Sequence, residues 1–199
     1  MKKHLLAAVA LAACASGAVY AQDFKAGDIL VRARAVGLYS ANGGSTTPNL
    51  DLSVNDKAIP EVDFSYFITK NLAAELILTV PQEHNLRSAG SKIATLEHLP
   101  PTLTLQYHFD LGGFKPYVGA GVNFTQFSNV KLPAGLTADK TSTGFAIQAG
   151  VDIPLTKTMS LNIDVKKVQI GTEIKAGGAK LTDFKVDPVL FGIGLGWKF

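Results

Sequence analysis

From residue 29 to residue 199 the chain repeatedly alternates, position by position, between bulky apolar side chains and small or polar ones. In "DFKVDPVLFGIGLGWKF" Val189, Phe191, Ile193, Leu195, Trp197 and Phe199 are bulky and apolar, while Gly192, Gly194, Gly196 and Lys198 between them are small or charged. Successive side chains of a β-strand point to opposite faces, so such a segment is a ribbon with one greasy side. Ile29, Val31, Ala33 and Ala35 alternate in the same way with Arg32 and Arg34, and Val62, Phe64, Tyr66 and Ile68 with Glu61, Asp63 and Ser65. Leu72, Ala74, Leu76, Leu78 and Val80 enclose Glu75, Ile77 and Thr79, and Leu103, Leu105, Tyr107 and Phe109 enclose Thr104, Gln106 and His108. "YVGAGVNFTQF", "GFAIQAGVDI" and "MSLNIDVKK" complete a set of eight. An even number of antiparallel strands lets a barrel close with both chain ends on one side.

Two closed architectures satisfy the alternation. A soluble barrel keeps its greasy face inside, around an apolar ligand; a membrane barrel turns that face to lipid. The charges discriminate, because Arg32, Arg34, Glu61, Asp63, Glu75, Asp152, Asp164 and Lys198 all share the less apolar parity. A small barrel has no room inside for so many Phe, Tyr, Trp, Leu and Ile side chains, so the greasy face is assigned to lipid. Glu97, Lys167, Lys185 and Asp187 break the parity only near the long connections, where a lipid-side charge costs ~0–1 kcal/mol. Mean hydropathy is high, +0.19, yet no apolar run approaches the ~20 residues of a membrane helix. Lipid demands that every backbone polar group be paired internally, which leaves the closed barrel. The connections also alternate, short at 69–71, 110–113 and 154–158 and long at 40–56, 81–92, 129–141 and 171–183. The expectation is an all-β chain: an eight-stranded antiparallel transmembrane β-barrel of the bacterial outer membrane, with short periplasmic turns, long extracellular loops and both termini periplasmic.

The N-terminal stretch "MKKHLLAAVALAACASGAVYAQ" has the charged, apolar and small-residue parts of a secretory signal peptide, with cleavage after Ala21. An alternative is lipidation of Cys14, since "LAAC" resembles a lipoprotein lipobox. Cleavage after Ala21 divides the chain into a signal peptide, 1–21, and one barrel domain, 22–199. It removes Cys14, the one cysteine, and with it disulfide and thiolate chemistry. Loss of Lys2 and Lys3 lowers the basic residues from 19 to 17 against 16 acidic ones. The whole-chain isoelectric point of 8.9 is therefore no argument for a nucleic-acid partner.

The strings "ATLEHLPPTLTLQYHF", "KPYVGAGVNFT", "AGVDIPL" and "KVDPVLFGIGLGWKF" together resemble the OmpW family of outer-membrane proteins, over essentially the whole of 22–199. The resemblance implies a narrow, rather apolar conduit for small hydrophobic solutes, pinched by an inward aliphatic and an inward aromatic side chain. Those positions fall at Ile77, which fits, and at Lys166, which departs from the pattern. Inside a lumen Lys166 calls for an ion pair, with Asp164, Asp152 or Glu75 as candidates, so Glu75 and Asp164 join the expected channel lining. Pro100 and Pro101, beside His98, lack backbone donors and leave a gap in the ladder. They read either as the beginning of a strand or as a weakened wall through which an apolar solute leaves sideways into lipid. The final "GWKF" resembles the terminal signal read by the barrel-assembly machinery, with Trp197 and Phe199 also suited to an aromatic girdle.

Catalysis finds little support. His84 falls in an expected loop, and His98 and His108 are read onto one strand, about 33 Å apart by strand rise. Nothing brings a histidine to Ser65 or Ser160 as a nucleophile requires. The histidines lack metal-ligand spacing, "GIGLG" is strand rather than a phosphate loop, and no cofactor is expected. Three functions stay open: a passive conduit for small hydrophobic molecules, a structural or adhesive barrel acting through its loops, and a lipid-modifying enzyme. The family strings favour the first and the inward charge the second; the chain is read as a non-enzyme.

Overall fold

The computed structural model describes residues 22–40, 52–54, 56–88, 91–132 and 135–199. The signal peptide expected at 1–21, Cys14 included, lies outside the described residues. In chain order the strands are β1 (Ile29–Tyr39), β2 (Leu52–Val54), β3 (Lys57–Phe67), β4 (Leu72–Thr79), β5 (Gln82–Ser88), β6 (Ser91–Leu99) and β7 (Thr102–His108). They continue with β8 (Lys115–Lys131), β9 (Leu136–Ala138), β10 (Thr141–Pro154), β11 (Met159–Val168), β12 (Gly171–Ala176), β13 (Ala179–Lys185) and β14 (Val189–Lys198).

Eight of these form the wall, in the ring β1-β3-β4-β7-β8-β10-β11-β14 and back to β1, every neighbour antiparallel. The seam between β1 and β14 runs from Leu30↔Lys198 to Tyr39↔Val189. Ile29 and Phe199 extend it by exchanging backbone hydrogen bonds of 3.2 and 2.8 Å. Closure abolishes the sheet edge, which lipid would otherwise leave unpaired.

Burial follows the parity of the sequence. Along β3, Ile59, Glu61, Asp63, Ser65 and Phe67 are buried inside, while Pro60, Val62, Phe64 and Tyr66 are exposed outside. β7 repeats this from Thr102 to His108. Phe145 and Phe124 are 70% and 61% exposed, which identifies the greasy face as the outer, lipid-facing one. At 11 residues, β1 meets the ~9–11 needed to cross a bilayer tilted.

The three short turns, at 68–71, 109–114 and 155–158, lie at the end that carries residues 22–28 and Phe199, here the terminal end. At the opposite, hairpin end the described parts of the long connections carry further strands. β5 and β6 pair as a hairpin flanked by β2 and β8, and β9, β12 and β13 form a separate three-stranded sheet. The signal was present in "KAGGAK": Gly177 and Gly178 have φ of +56° and +86°, and Ala176 pairs with Ala179 across them. A two-residue turn with both φ positive is what glycine pairs supply between strands.

A second correction concerns the histidines. His98 and His108 do not share a strand; His98 is the penultimate residue of β6 and His108 ends β7, with Pro100 and Pro101 between the two strands. Both strands pair with β8, β6 by Leu99↔Gln126 and β7 by Thr102↔Asn123. The prolines therefore break one wall line into two.

Candidate functional site

The lower lumen, toward the terminal end, is filled by charge. Arg32 and Arg34, two residues apart on β1, both point inward, and across the seam they face Gly196 and Gly194. A Cβ at Gly196 would come within 3.3 Å of Arg32 Cγ, so the bare backbone of β14 is what gives the arginines room. Arg32 places Nη2 2.6 Å from Asp152 Oδ2 and Nη1 2.9 Å from Glu75 Oε1. Arg34 pairs with Asp63, lies 3.0 Å from Glu61 Oε1 and donates to Asn162 Oδ1 at 2.9 Å. Tyr117 donates to Asp164 Oδ2 at 2.8 Å. Gln106 and Gln148 donate to the second oxygen of Glu75 at 2.7 and 2.8 Å. Five buried carboxylates, Glu61, Asp63, Glu75, Asp152 and Asp164, thus surround three buried cations, Arg32, Arg34 and Lys166. Buried charges persist only when paired, and this cluster pairs them by setting two guanidinium groups among carboxylates.

Lys166 caps the cluster. Its Nζ lies 2.6 Å from Glu61 Oε1 and 3.1 Å from Asp164 Oδ1. Above it lies a small, partly open cavity of ≈ 20 Å³. Leu38, Ile59, Ile77, Val168, Ile170 and Leu190 supply the apolar wall, and His98, Pro100, Thr102 and Asn123 the opposite side. The lumen is therefore layered, apolar toward the hairpin end and ionic toward the terminal end.

The wall beside this cavity is incomplete. The β3–β4 ladder stops at Glu61↔Thr79, and the β4–β7 ladder stops at Ile77↔Thr102. Residues 57–60 of β3 lie beyond the first of these ends. Pro100 and Pro101 offer carbonyls that the Asn123 amide meets at 3.2 and 3.3 Å, and Phe124 N–H donates to Pro101 at 2.9 Å. Asn123 and Phe124 thus satisfy the acceptors, while no N–H exists to extend the ladder toward β4.

At the terminal mouth, residues 22–28 fold under the barrel. Phe24 stacks on Phe67 with ring centroids 4.0 Å apart and meets His108 edge-on at 5.8 Å. Lys198 Nζ sits 5.6 Å above the Phe24 ring and 2.9 Å from Asp28. Lys115 approaches Asp110 at 3.1 Å, and that hydrogen bond holds the Asp110 carboxyl below its ordinary range.

The expected site residues divide accordingly. Ile77 and Lys166 line one cavity. Asp164 lies behind Lys166 as one of its partners, whereas Glu75 and Asp152 bind Arg32. Glu61, absent from the expected partners of Lys166, makes its shorter contact. His98 and Pro100 lie on the cavity wall and Pro101 adjoins them. Trp197 and Phe199 are 37% and 75% exposed, at the foot of the outer face. The apolar wall and the Phe24 contact were missed. Leu38, Val168 and Leu190 share the inward parity of Arg34, Lys166 and Gly192, and following that parity past the charges would have found them. Nothing in the sequence pointed to Phe24.

His108 bonds Gln106 at 3.0 Å and packs on Phe67 and Tyr117, away from any serine contact among the described residues. Ser65 Oγ accepts from Arg32 at 2.9 Å. These groups are structural members of the ionic layer.

The model of the OmpW family matches residues 25–199. The chain belongs to the OmpW family. Outer membrane protein W of Escherichia coli is 35% identical to this OmpW-family chain, each covered in full. The outer-membrane protein y4mB of Sinorhizobium fredii is 42% identical, over 85% of this chain and 79% of its own. The crystal structure of OprG from Pseudomonas aeruginosa superposes with a TM-score of 0.76 at 28% identity, covering 89% of this chain and 98% of that one. These relatives are outer-membrane β-barrels, and this OmpW-family chain shares their architecture.

Proposed function

We propose that this barrel is a passive conduit for small hydrophobic molecules, which enter at an extracellular hairpin end and leave sideways into the membrane. The observation that carries this reading is the apolar cavity set directly above a sealed ionic layer and beside the interrupted ladder at Pro100 and Pro101. A solute going straight through would have to displace paired buried charges and then Phe24, each step costly. A sideways path past Ile59, Thr79 and Pro100 meets mostly apolar atoms and avoids the aqueous periplasm, where both termini would lie. Ile77 and Lys166 then flank the narrowest part, and outer-membrane lipid receives the solute. Phe199 would serve the barrel-assembly machinery during insertion.

Uptake of an apolar tracer by cells with and without the protein, paired with planar-bilayer conductance, tests this. Faster tracer uptake without steady ion conductance is expected. Equal uptake by both strains overturns the conduit and favours a structural or adhesive barrel, whose filled lumen and folded outer hairpins would then be its working parts.

A further inference from the structure

Resting on the conduit reading, we infer that the cavity selects molecules that are mostly hydrocarbon but carry one neutral oxygen acceptor, such as alcohols and ketones, ahead of plain hydrocarbons, carboxylates and amines. The bulk of the solute is set by the wall of Leu38, Ile59, Ile77, Val168, Ile170 and Leu190. Its polar group is set by the floor. The Lys166 ammonium has three N–H donors. Glu61 accepts one at 2.6 Å, Asp164 Oδ1 stands 3.1 Å away as an ion-pair partner, and among the described residues no further acceptor faces it. Lys166 lines the cavity and is 3% exposed, so a remaining donor has little access to bulk water. A hydrocarbon that fills the cavity strips the last water from that N–H and leaves it unpaired, which is unfavourable. An alcohol or carbonyl oxygen replaces the water and keeps the bond.

Charge separates this oxygen from a carboxylate. The ions in contact at the floor are Lys166 and Arg34 on one side and Glu61, Asp63, Asp164 and, 3.5 Å from Arg34, Glu75 on the other, so carboxyl groups outnumber cations. Arg32 and Asp152 lie one layer below and add one carboxylate for one cation. A second anion would enter a low-dielectric space whose cations are already outnumbered, so it is repelled. An ammonium, although carboxylates outnumber the cations behind the floor, would set a second cation with donors and no acceptor directly against the Lys166 ammonium. The side wall cannot substitute for Lys166 through Thr102, whose hydroxyl donates to Pro100 at 3.2 Å and accepts from Asn123 at 2.8 Å.

The test is a titration of the full barrel in lipid nanodiscs with octane, octanol, octanoate and octylamine, each referred to its concentration in the lipid. The δ-methyl resonances of Ile59, Ile77 and Ile170 report occupancy. Octanol should bind about tenfold more tightly than octane, the effect of one hydrogen bond to a charged group. Lys166→Met should abolish that preference while octane still binds. The double variant Lys166→Met/Glu61→Gln, which removes both partners of the pair, should behave alike and keeps the test valid if the single variant fails to fold. Equal binding of octane and octanol, tightest binding of octanoate or octylamine, or a preference that survives both variants overturns the inference. If all four probes leave the Ile77 methyl unmoved, the conduit reading fails together with it; if octane moves it as strongly as octanol, only the inference fails.

Discussion

Arg32 on β1 reaches across the bore to Asp152 on β10, separated from it around the ring by β14 and β11, with Nη2–Oδ2 at 2.6 Å and Nε–Oδ1 at 3.1 Å. Such a fork-to-fork contact ties walls that share no ladder. Arg32→Met should leave Asp152 without its cation and Glu75 with only the 3.5 Å contact to Arg34, and destabilise the barrel by ~3–5 kcal/mol. Refolding titrations in lipid vesicles would measure it. Adding Asp152→Asn and Glu75→Gln should recover much of the loss, because neutral partners no longer demand a counter-ion.

The outer face should punish charge according to depth. Ile193, 55% exposed and paired with Ile163 and Ala35, sits mid-strand, so Ile193→Arg should cost ~2–4 kcal/mol. Tyr39 lies at the strand end on the same face, and Tyr39→Arg should cost only ~0–1 kcal/mol. Equal losses in vesicle refolding would mean that this face does not meet a bilayer.

Phe199 bonds to Ile29 through its backbone while its ring is 75% exposed. Phe199→Ser should therefore barely change the stability of refolded protein but sharply lower its outer-membrane level in cells. Unchanged cellular levels would refute a role in assembly.

Phe24→Ala should undock residues 22–28 without opening the ladders of the wall. Replacing a buried phenylalanine by alanine removes about 3–5 kcal/mol of packing. Amide exchange at Gly27, whose N–H donates to Phe67 at 2.9 Å, should accelerate, while exchange in β1 and β14 should not.

The Lys115–Asp110 pair predicts a pH dependence at the terminal mouth. Because the folded-state pKa of Asp110 is lowered by the Lys115 hydrogen bond, the contact contributes above the ordinary carboxylate range and is lost as pH falls through the lowered value. A carboxyl carbon titration should show Asp110 protonating below a free aspartate, and Lys115→Met should move the midpoint up.

The wall was readable because a strand's period of two converts sequence parity directly into inside and outside. Arg32, Glu61, Asp63, Glu75, Asp152, Asp164 and Lys166 each lie inward as their positions in the alternation required. The Gly177–Gly178 hairpin was also readable, but its polar composition masked it as a loop. The break between His98 and His108 was half visible: the prolines announced an interruption, yet only the shared pairing of β6 and β7 with β8 shows one wall line split in two.

By itself, then, the sequence determined the number of wall strands, the lipid-facing surface and the inward parity of the charged residues. Those depend on local periodicity and on the exclusion of unpaired polar groups from lipid. Which lumen residues touch was decided only by the closed tertiary structure. Parity records the face on which a side chain lies but nothing of its height along the bore, which depends on the stagger of all eight strands. That stagger brings Glu61, not Glu75, to Lys166, spends Glu75 and Asp152 on Arg32, and leaves Leu38, Ile77 and Leu190 above the ions as an apolar chamber.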